Sequence, residues 1–299
     1  MIDSFKALVD SVKGRPKKTI AVAMAESEDV LKGISHAHEQ GLADAVLVGN
    51  KKKIIDIAEK AEIDISYFDI INTNSEAQAV VRSIQMVRER LADTLMKGNC
   101  ATATLLKGIL DKEHGIRTGK LLSHVSVFEL EMYSKLLFMS DGGMNIQPNT
   151  EEKVAIINNA VQTVRAFGVR KPKVAMITAI EKVNYQAMPC TVDAAIIAKM
   201  SERGQIADCI VDGPFALDNA ISKKACQIKG IKSPIGGEAD ILIMPDIESG
   251  NVFYKSVNFF TECKVAGMVV GAQVPIVVTS RADTEETKFY SIAFAMQAS

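Results

Sequence analysis

Apolar and polar positions along this chain follow two rhythms. Short apolar runs of strand length, at residues 19–24, 45–48 and 67–71, alternate with segments at 29–40, 51–60 and 75–91 whose apolar residues recur at helical spacing. The punctuation agrees with the periods. Glu26 and Glu28 are acidic cap candidates for the first helix, Gly49-Asn50 opens the second, and Glu76 stands near the dipole-positive end of the third. A second series begins after Pro148, with a helix at 151–167, a strand at 174–177, a helix at 192–200, and strands at 209–211 and 241–244. Strand and helix signals alternating throughout imply parallel sheets covered by helices on both faces, and so an α/β fold of two αβα three-layer units.

Composition narrows the class. At 299 residues with 47% hydrophobic residues, the chain is long enough for two domains with large cores. Lys plus Arg (35) nearly balance Asp plus Glu (36) and no basic block stands out, so the footprint of a nucleic-acid binder is missing. Residues 1–18 mix Asp3, Lys6, Asp10 and Lys13 into apolar positions; they read as an amphipathic surface helix rather than a signal peptide or membrane span. Five separated cysteines without a CxxC pair fit reduced thiols of the cytoplasm. His36 and His38 lie at i and i+2 of a helix, and His114 and His124 have no partner at ligand spacing, so no metal site is expected. Met24-Ala25-Glu26-Ser27 follows the first strand in place of a glycine-rich fingerprint, which leaves a nicotinamide or flavin cofactor unsupported.

Two polar turns follow apolar runs near the C-terminus. The first leads from Ile241-Leu242-Ile243-Met244-Pro245-Asp246 into Glu248-Ser249-Gly250-Asn251-Val252-Phe253-Tyr254-Lys255. Gly250 permits close backbone approach and Asn251 can cap a helix behind it, leaving N–H groups and a positive dipole end for an anion; a plain strand-to-helix turn with Lys255 solvated is the simpler reading of the same residues taken alone. The second turn is Ser280-Arg281-Ala282-Asp283 after 274–279. An arginine fork suits phosphate and an adjacent serine hydroxyl suits a carbonyl oxygen gaining charge, whereas a Ser or Thr cap within 279–284 beside a surface Arg281 is the structural reading. In Met144-Asn145-Ile146-Gln147-Pro148, Asn145 is either a donor to substrate oxygens or part of a capping turn, with Asn149 or Thr150 as cap and Glu152 or Lys153 solvated. Asp212-Gly213-Pro214 reads most simply as a turn at a strand end.

These two turns, with Ser140-Asp141-Gly142-Gly143-Met144, Thr191-Val192-Asp193-Ala194-Ala195 and Val211-Asp212-Gly213-Pro214-Phe215, closely resemble the phosphate acyltransferases in collinear order, above all their butyryl branch. The resemblance implies exchange of a short-chain acyl group between coenzyme A and inorganic phosphate by direct attack in a ternary complex, with coenzyme A as substrate and no cofactor. It implies an architecture like isocitrate and isopropylmalate dehydrogenases: a first domain of 1–130 plus 280–299, a second of 131–279, and substrates in the cleft between. It makes Ser280 and Arg281 catalytic and places Asn145, Asp246, Gly250, Asn251, Tyr254 and Lys255 around acyl-CoA, phosphate and acyl phosphate. The acetyl branch carries an aspartate seven residues after the serine, where this sequence has Thr287, so Glu286 or Asp283 becomes the candidate base. A homodimer or higher homo-oligomer is also implied. Two other classes compete with this one: a metal-dependent hydroxyacid dehydrogenase, which needs aspartates closer than the scattered Asp212, Asp218 and Asp246, and a silent binding protein, against which Ser280, Arg281 and Asn251 together argue.

Overall fold

Asn50, Ser75, Asn149 and Asp246 each accept a hydrogen bond from the backbone N–H three residues on, and a helix starts behind each of them. The computed structural model describes residues 1–280 and 283–299. In chain order its elements are α1 (Phe5–Val12), β1 (Lys18–Ala23), α2 (Glu28–Glu39), β2 (Ala43–Gly49), α3 (Lys51–Lys60), β3 (Asp69–Asn72), α4 (Glu76–Arg88), β4 (Thr94–Lys97) and α5 (Thr102–Ile109). There follow β5 (Ser123–Glu129), β6 (Leu137–Ser140), α6 (Thr150–Ala166), β7 (Lys173–Ile177), α7 (Cys190–Glu202), β8 (Ile210–Phe215), α8 (Leu217–Ile221), α9 (Lys223–Lys229), β9 (Ile241–Ile243) and α10 (Ile247–Phe260). The chain closes with β10 (Lys264–Val270), β11 (Ile276–Val277) and α11 (Glu285–Ala298).

Two compact units divide these elements. The N-terminal unit comprises Phe5–Lys120 and Ala266–Ser299, and the middle unit comprises Met1–Ser4 and Leu121–Val265. Relative to boundaries at 130/131 and 279/280, this division puts β5 in the middle unit and β11 with most of β10 in the N-terminal one. In the N-terminal unit the strands run β3-β2-β1-β4-β11-β10, all parallel except the β10–β11 pair. In the middle unit the order is β5-β6-β9-β7-β8, parallel except for β5–β6. Central strands such as β4 and β6 are buried at every position, as expected when helices cover both faces.

α11 shows why the last residues belong with the first. It is buried nearly all round, with Ile292, Ala293, Phe294 and Ala295 fully enclosed. α1 covers one side through Phe5, whose ring centroid stands 4.4 Å from that of Tyr290, and α2 covers another, with His36 stacked on Phe289 at 4.2 Å. The approach of α2 is close: a Cβ on Gly33 would meet the Lys288 Cβ at 3.0 Å. Inside the helix, Ser291 Oγ donates to the Thr287 carbonyl at 2.7 Å and accepts from Gly267 N–H at 3.0 Å, so the buried hydroxyl is satisfied.

Several sequence expectations shift. The cap of α2 is Ser27, with Glu28 as first helical residue and Glu26 one step outside. Asp212-Gly213-Pro214 lies within β8 and is no terminal turn, because β8 is an edge strand where proline forfeits no ladder bond. Gly213 is needed there, since a Cβ would stand 2.7 Å from that of Met176. Lys153 is buried, not solvated, because Asp193 reaches it from α7 at 2.7 Å. Among the described residues no helix is long and apolar enough to cross a membrane.

Phe5→Ala is expected to destabilise the N-terminal unit by about 3–5 kcal/mol, because the fully buried ring leaves a cavity between α1 and α11. Urea unfolding followed by circular dichroism measures it, and a loss below about 1 kcal/mol would contradict the assigned packing.

Candidate active site

Strands β1, β4 and β11 pair in parallel, so their C-terminal ends share one edge. A cavity of about 180 Å³ opens there, lined by Glu26 and Ser27 beyond β1, Lys97 and Asn99 at the end of β4, Ser280 beyond β11, and Lys288 of α11. Open α/β sheets bind their ligands at this edge. Ser280 is held through its backbone. Its N–H donates to Asp283 Oδ2 at 2.7 Å, and the Asp283 N–H returns to the Ser280 carbonyl at 3.2 Å. Thr284 then caps α11, accepting from Thr287 N–H at 3.2 Å. Turn closure and helix capping thus fall on Asp283 and Thr284. Arg281 lies outside the described residues.

The two candidate bases differ in their surroundings. Glu286 is exposed on the first turn of α11, whereas Asp283 is 5% exposed, with Oδ2 engaged by Ser280 and Oδ1 buried without a partner. Glu26 is a second buried carboxylate on this cavity. Its Oε1 accepts from Asn50 N–H at 2.8 Å, tying the end of β1 to the start of α3.

Sequence reasoning missed the cations. Lys97 and Lys288 are 5% and 3% exposed, and both line the cavity. Lys97 Nζ donates to the Gly98 carbonyl at 3.3 Å, and Lys288 Nζ donates to the Asp283 carbonyl with the Asp29 carboxylate 3.9 Å away. Burial holds Lys288 below the ordinary lysine range, opposed by the negative charges of Asp29 and Asp283. Two buried ammonium groups on one polar cavity favour an anionic ligand. The sequence offers only a faint hint for Lys288: no charged residue follows it in 289–299, although that alone does not bury a lysine.

The residues proposed from the other turn lie together in the middle unit. Asp141, 3% exposed, organises the loop after β6: Oδ1 accepts from Gly143 and Met144 N–H at 2.8 and 3.0 Å, and Oδ2 accepts from His124 N–H at 3.2 Å and Asn145 Nδ2 at 2.6 Å. Asn145 Nδ2 also donates to the Leu122 carbonyl at 2.9 Å, so its amide N–H groups hold the loop. The cap of α10 is Asp246 rather than Asn251: Asp246 Oδ1 accepts from Ser249 N–H at 2.8 Å and from its hydroxyl at 2.7 Å. Asn251 stands one turn inside and donates to the Gly142 carbonyl at 3.3 Å. Gly250 is where α10 meets the Asp141-Gly142 backbone, and a Cβ there would lie 2.4 Å from the Asp141 carbonyl oxygen. Four of the six candidates, Asn145, Asp246, Gly250 and Asn251, therefore brace two loops against each other. Tyr254 sits edge-on to His124 at 6.5 Å, and the Lys255 ammonium lies 5.5 Å above the Tyr254 ring.

Cys190, at the N-terminus of α7, has a reason on position alone to be reactive. Burial instead pushes its thiol up, joined by the charges of Asp246 and Asp193 and only partly offset by Lys153. Burial likewise raises Cys100 and Cys226, and carries Cys209 to about 11.

The family model described as phosphate acetyl/butaryl transferase matches residues 4–83 and 73–296. The chain is similar to the phosphate butyryltransferase of Clostridium acetobutylicum, with 46% identity over 295 residues, 99% of this chain and 98% of the relative. It is 44% identical over 288 residues to the phosphate acetyltransferase of Thermotoga maritima, covering 96% of this chain and 97% of that one. Among solved structures, a branched-chain phosphotransacylase from Enterococcus faecalis V583 matches with a TM-score of 0.83 at 31% identity, over 94% of this chain and 98% of the other.

Gly250→Ala is expected to destabilise the middle unit by about 1–3 kcal/mol, since the added methyl meets backbone that has no rotamer to change. Thermal unfolding of the purified variant tests this, and an unchanged midpoint would show that the two loops do not touch as described.

Proposed function

The chain belongs to the phosphate acetyl/butaryl transferase family, and we propose that it exchanges a short-chain acyl group between coenzyme A and inorganic phosphate, butyryl-CoA plus phosphate giving butyryl phosphate plus free coenzyme A. The near full-length likeness to a phosphate butyryltransferase carries this reading. An acetyl or branched-chain acyl group is the second reading, favoured by the relatives named for those substrates.

In this reading a phosphate oxygen attacks the thioester carbonyl, a C–O bond forms, the C–S bond breaks, and coenzyme A leaves as thiolate with the electron pair. Ser280 donates to the carbonyl oxygen as it gains charge, and Arg281 grips the phosphate through its fork. Buried Lys97 and Lys288 support a site for that anion. In the reverse direction the thiol needs a base, and Asp283 is the better supported of the two candidates because Glu286 faces solvent. In the middle unit Asn145, Asp246, Gly250 and Asn251 form the frame, and Tyr254 and Lys255 are read as binding substrate. The raised thiols of Cys190, Cys209 and Cys226 support direct attack over a thioester on the enzyme. The enzyme is read as a cytoplasmic homodimer or higher homo-oligomer that needs no cofactor beyond its substrates.

Release of free thiol from butyryl-CoA, dependent on added phosphate, tests the activity; no release from butyryl-, acetyl- or branched acyl-CoA would refute it. Ser280→Ala should lower kcat by about 10²–10³-fold with little change in KM, as for loss of one oxyanion donor. A rise in KM with kcat intact would make Ser280 a binding group instead. Arg281→Ala should weaken use of phosphate by about 2–4 kcal/mol while the protein stays folded, and Arg281→Lys should restore it only in part. Cys190→Ser should keep full activity with intersecting, sequential kinetics, which parallel ping-pong lines would contradict.

A further inference from the structure

A lysine that is 3% exposed is costly to bury, and an apolar side chain of equal length would fill the space between α2 and α11 without that cost. Lys288 nevertheless occupies it. Its ammonium donates to the carbonyl of Asp283, and Asp283 exchanges two hydrogen bonds with the backbone of Ser280. Three residues thus form one chain of contacts from the wall of α11 to the serine beside the cavity that both Ser280 and Lys288 line.

We infer that Lys288 is a positioning residue for acyl transfer, its ammonium fixing the Ser280–Asp283 turn so that Ser280 meets the reacting carbonyl. The inference rests on the reading of Ser280 as the oxyanion donor. A charge suits this task better than a neutral donor, because the hydrogen bond to the Asp283 carbonyl is then charge-assisted in a dry setting. The close packing of α2 leaves the stem no room to drift, since the Gly33 backbone lies against the Lys288 Cβ. The same arrangement makes the turn sensitive to pH. The charges acting on the ammonium are Asp29 from α2 and Asp283 at the head of α11, and the other charged residues lining the same cavity are Glu26 and Lys97. The other charges of α2 nearby are Lys32, paired with Glu28, and His36, facing Glu285. Burial already lowers the Lys288 pKa, so the ammonium is lost, and the turn loosened, as pH rises through that lowered value.

The test measures kcat and KM against pH in the direction from acyl-CoA and phosphate, where no thiol has to be deprotonated. Lys288→Met should lower kcat about 10- to 100-fold with KM for both substrates little changed, and the alkaline limb of kcat should vanish. Asp29→Asn keeps the shape and removes a charge that raises the Lys288 pKa, so its alkaline limb should move to lower pH; this variant also serves if Lys288→Met does not fold. A Lys288→Met enzyme with wild-type kcat, or an Asp29→Asn enzyme whose alkaline limb has not moved, would overturn the inference. Failure of the underlying reading looks different: the wild-type protein would release no thiol, or Ser280→Ala would retain its kcat.

Discussion

A strand buried on both faces can carry polar chemistry only at its ends. This constraint shapes both units. β4 and β6 have no exposed position, and every polar group discussed above as a site residue stands at a strand end or on the helix behind it. Parallel pairing of β1, β4 and β11 brings three such ends to one edge, and the cavity with Ser280, Lys97 and Glu26 follows from that registry. Function is confined to the rim because the interior has no capacity for an unpaired polar group.

At these rims carboxylates hold backbone. Asp141 accepts from three N–H groups and one side-chain amide, Asp246 caps α10, Asp283 closes the turn at Ser280, and Glu26 binds the first N–H of the α3 cap. Each ties its loop to neighbouring backbone through hydrogen bonds that no ligand has to supply. Such preorganisation is what a reaction without a covalent intermediate requires, because orientation and charge stabilisation must then supply the rate. Gly250 serves the same end by absence: only a residue without a side chain lets α10 rest on the Asp141–Gly142 backbone.

How much of this was legible depended on how local each determinant is. The helix at 51–60 reads to the residue because its Asn50 cap is adjacent in sequence. The cap of α10 was misplaced by five positions, since Gly250-Asn251 looks like a turn and the glycine's real purpose is a contact more than a hundred residues away. β4 escaped notice because only Leu95 and Met96 of its four residues are apolar, and β10 because Gly267 interrupts its apolar run. In the site, Ser280 was legible through family resemblance and Asp283 as a nearby carboxylate. Lys97 and Lys288 were not, because a lysine's burial depends on what packs over it: α2 covers Lys288 from the far end of the chain. Lys153 illustrates the same blindness, its partner Asp193 lying on another helix.

The central claim is that the acyl group passes directly between the two substrates inside a preorganised site. Exchange of radiolabelled inorganic phosphate into butyryl phosphate, measured in the strict absence of coenzyme A, tests it most directly. Direct transfer predicts no label in butyryl phosphate until coenzyme A is added, and rapid labelling once it is present. Labelling without coenzyme A would mean that the enzyme itself takes up the acyl group, and would contradict the account.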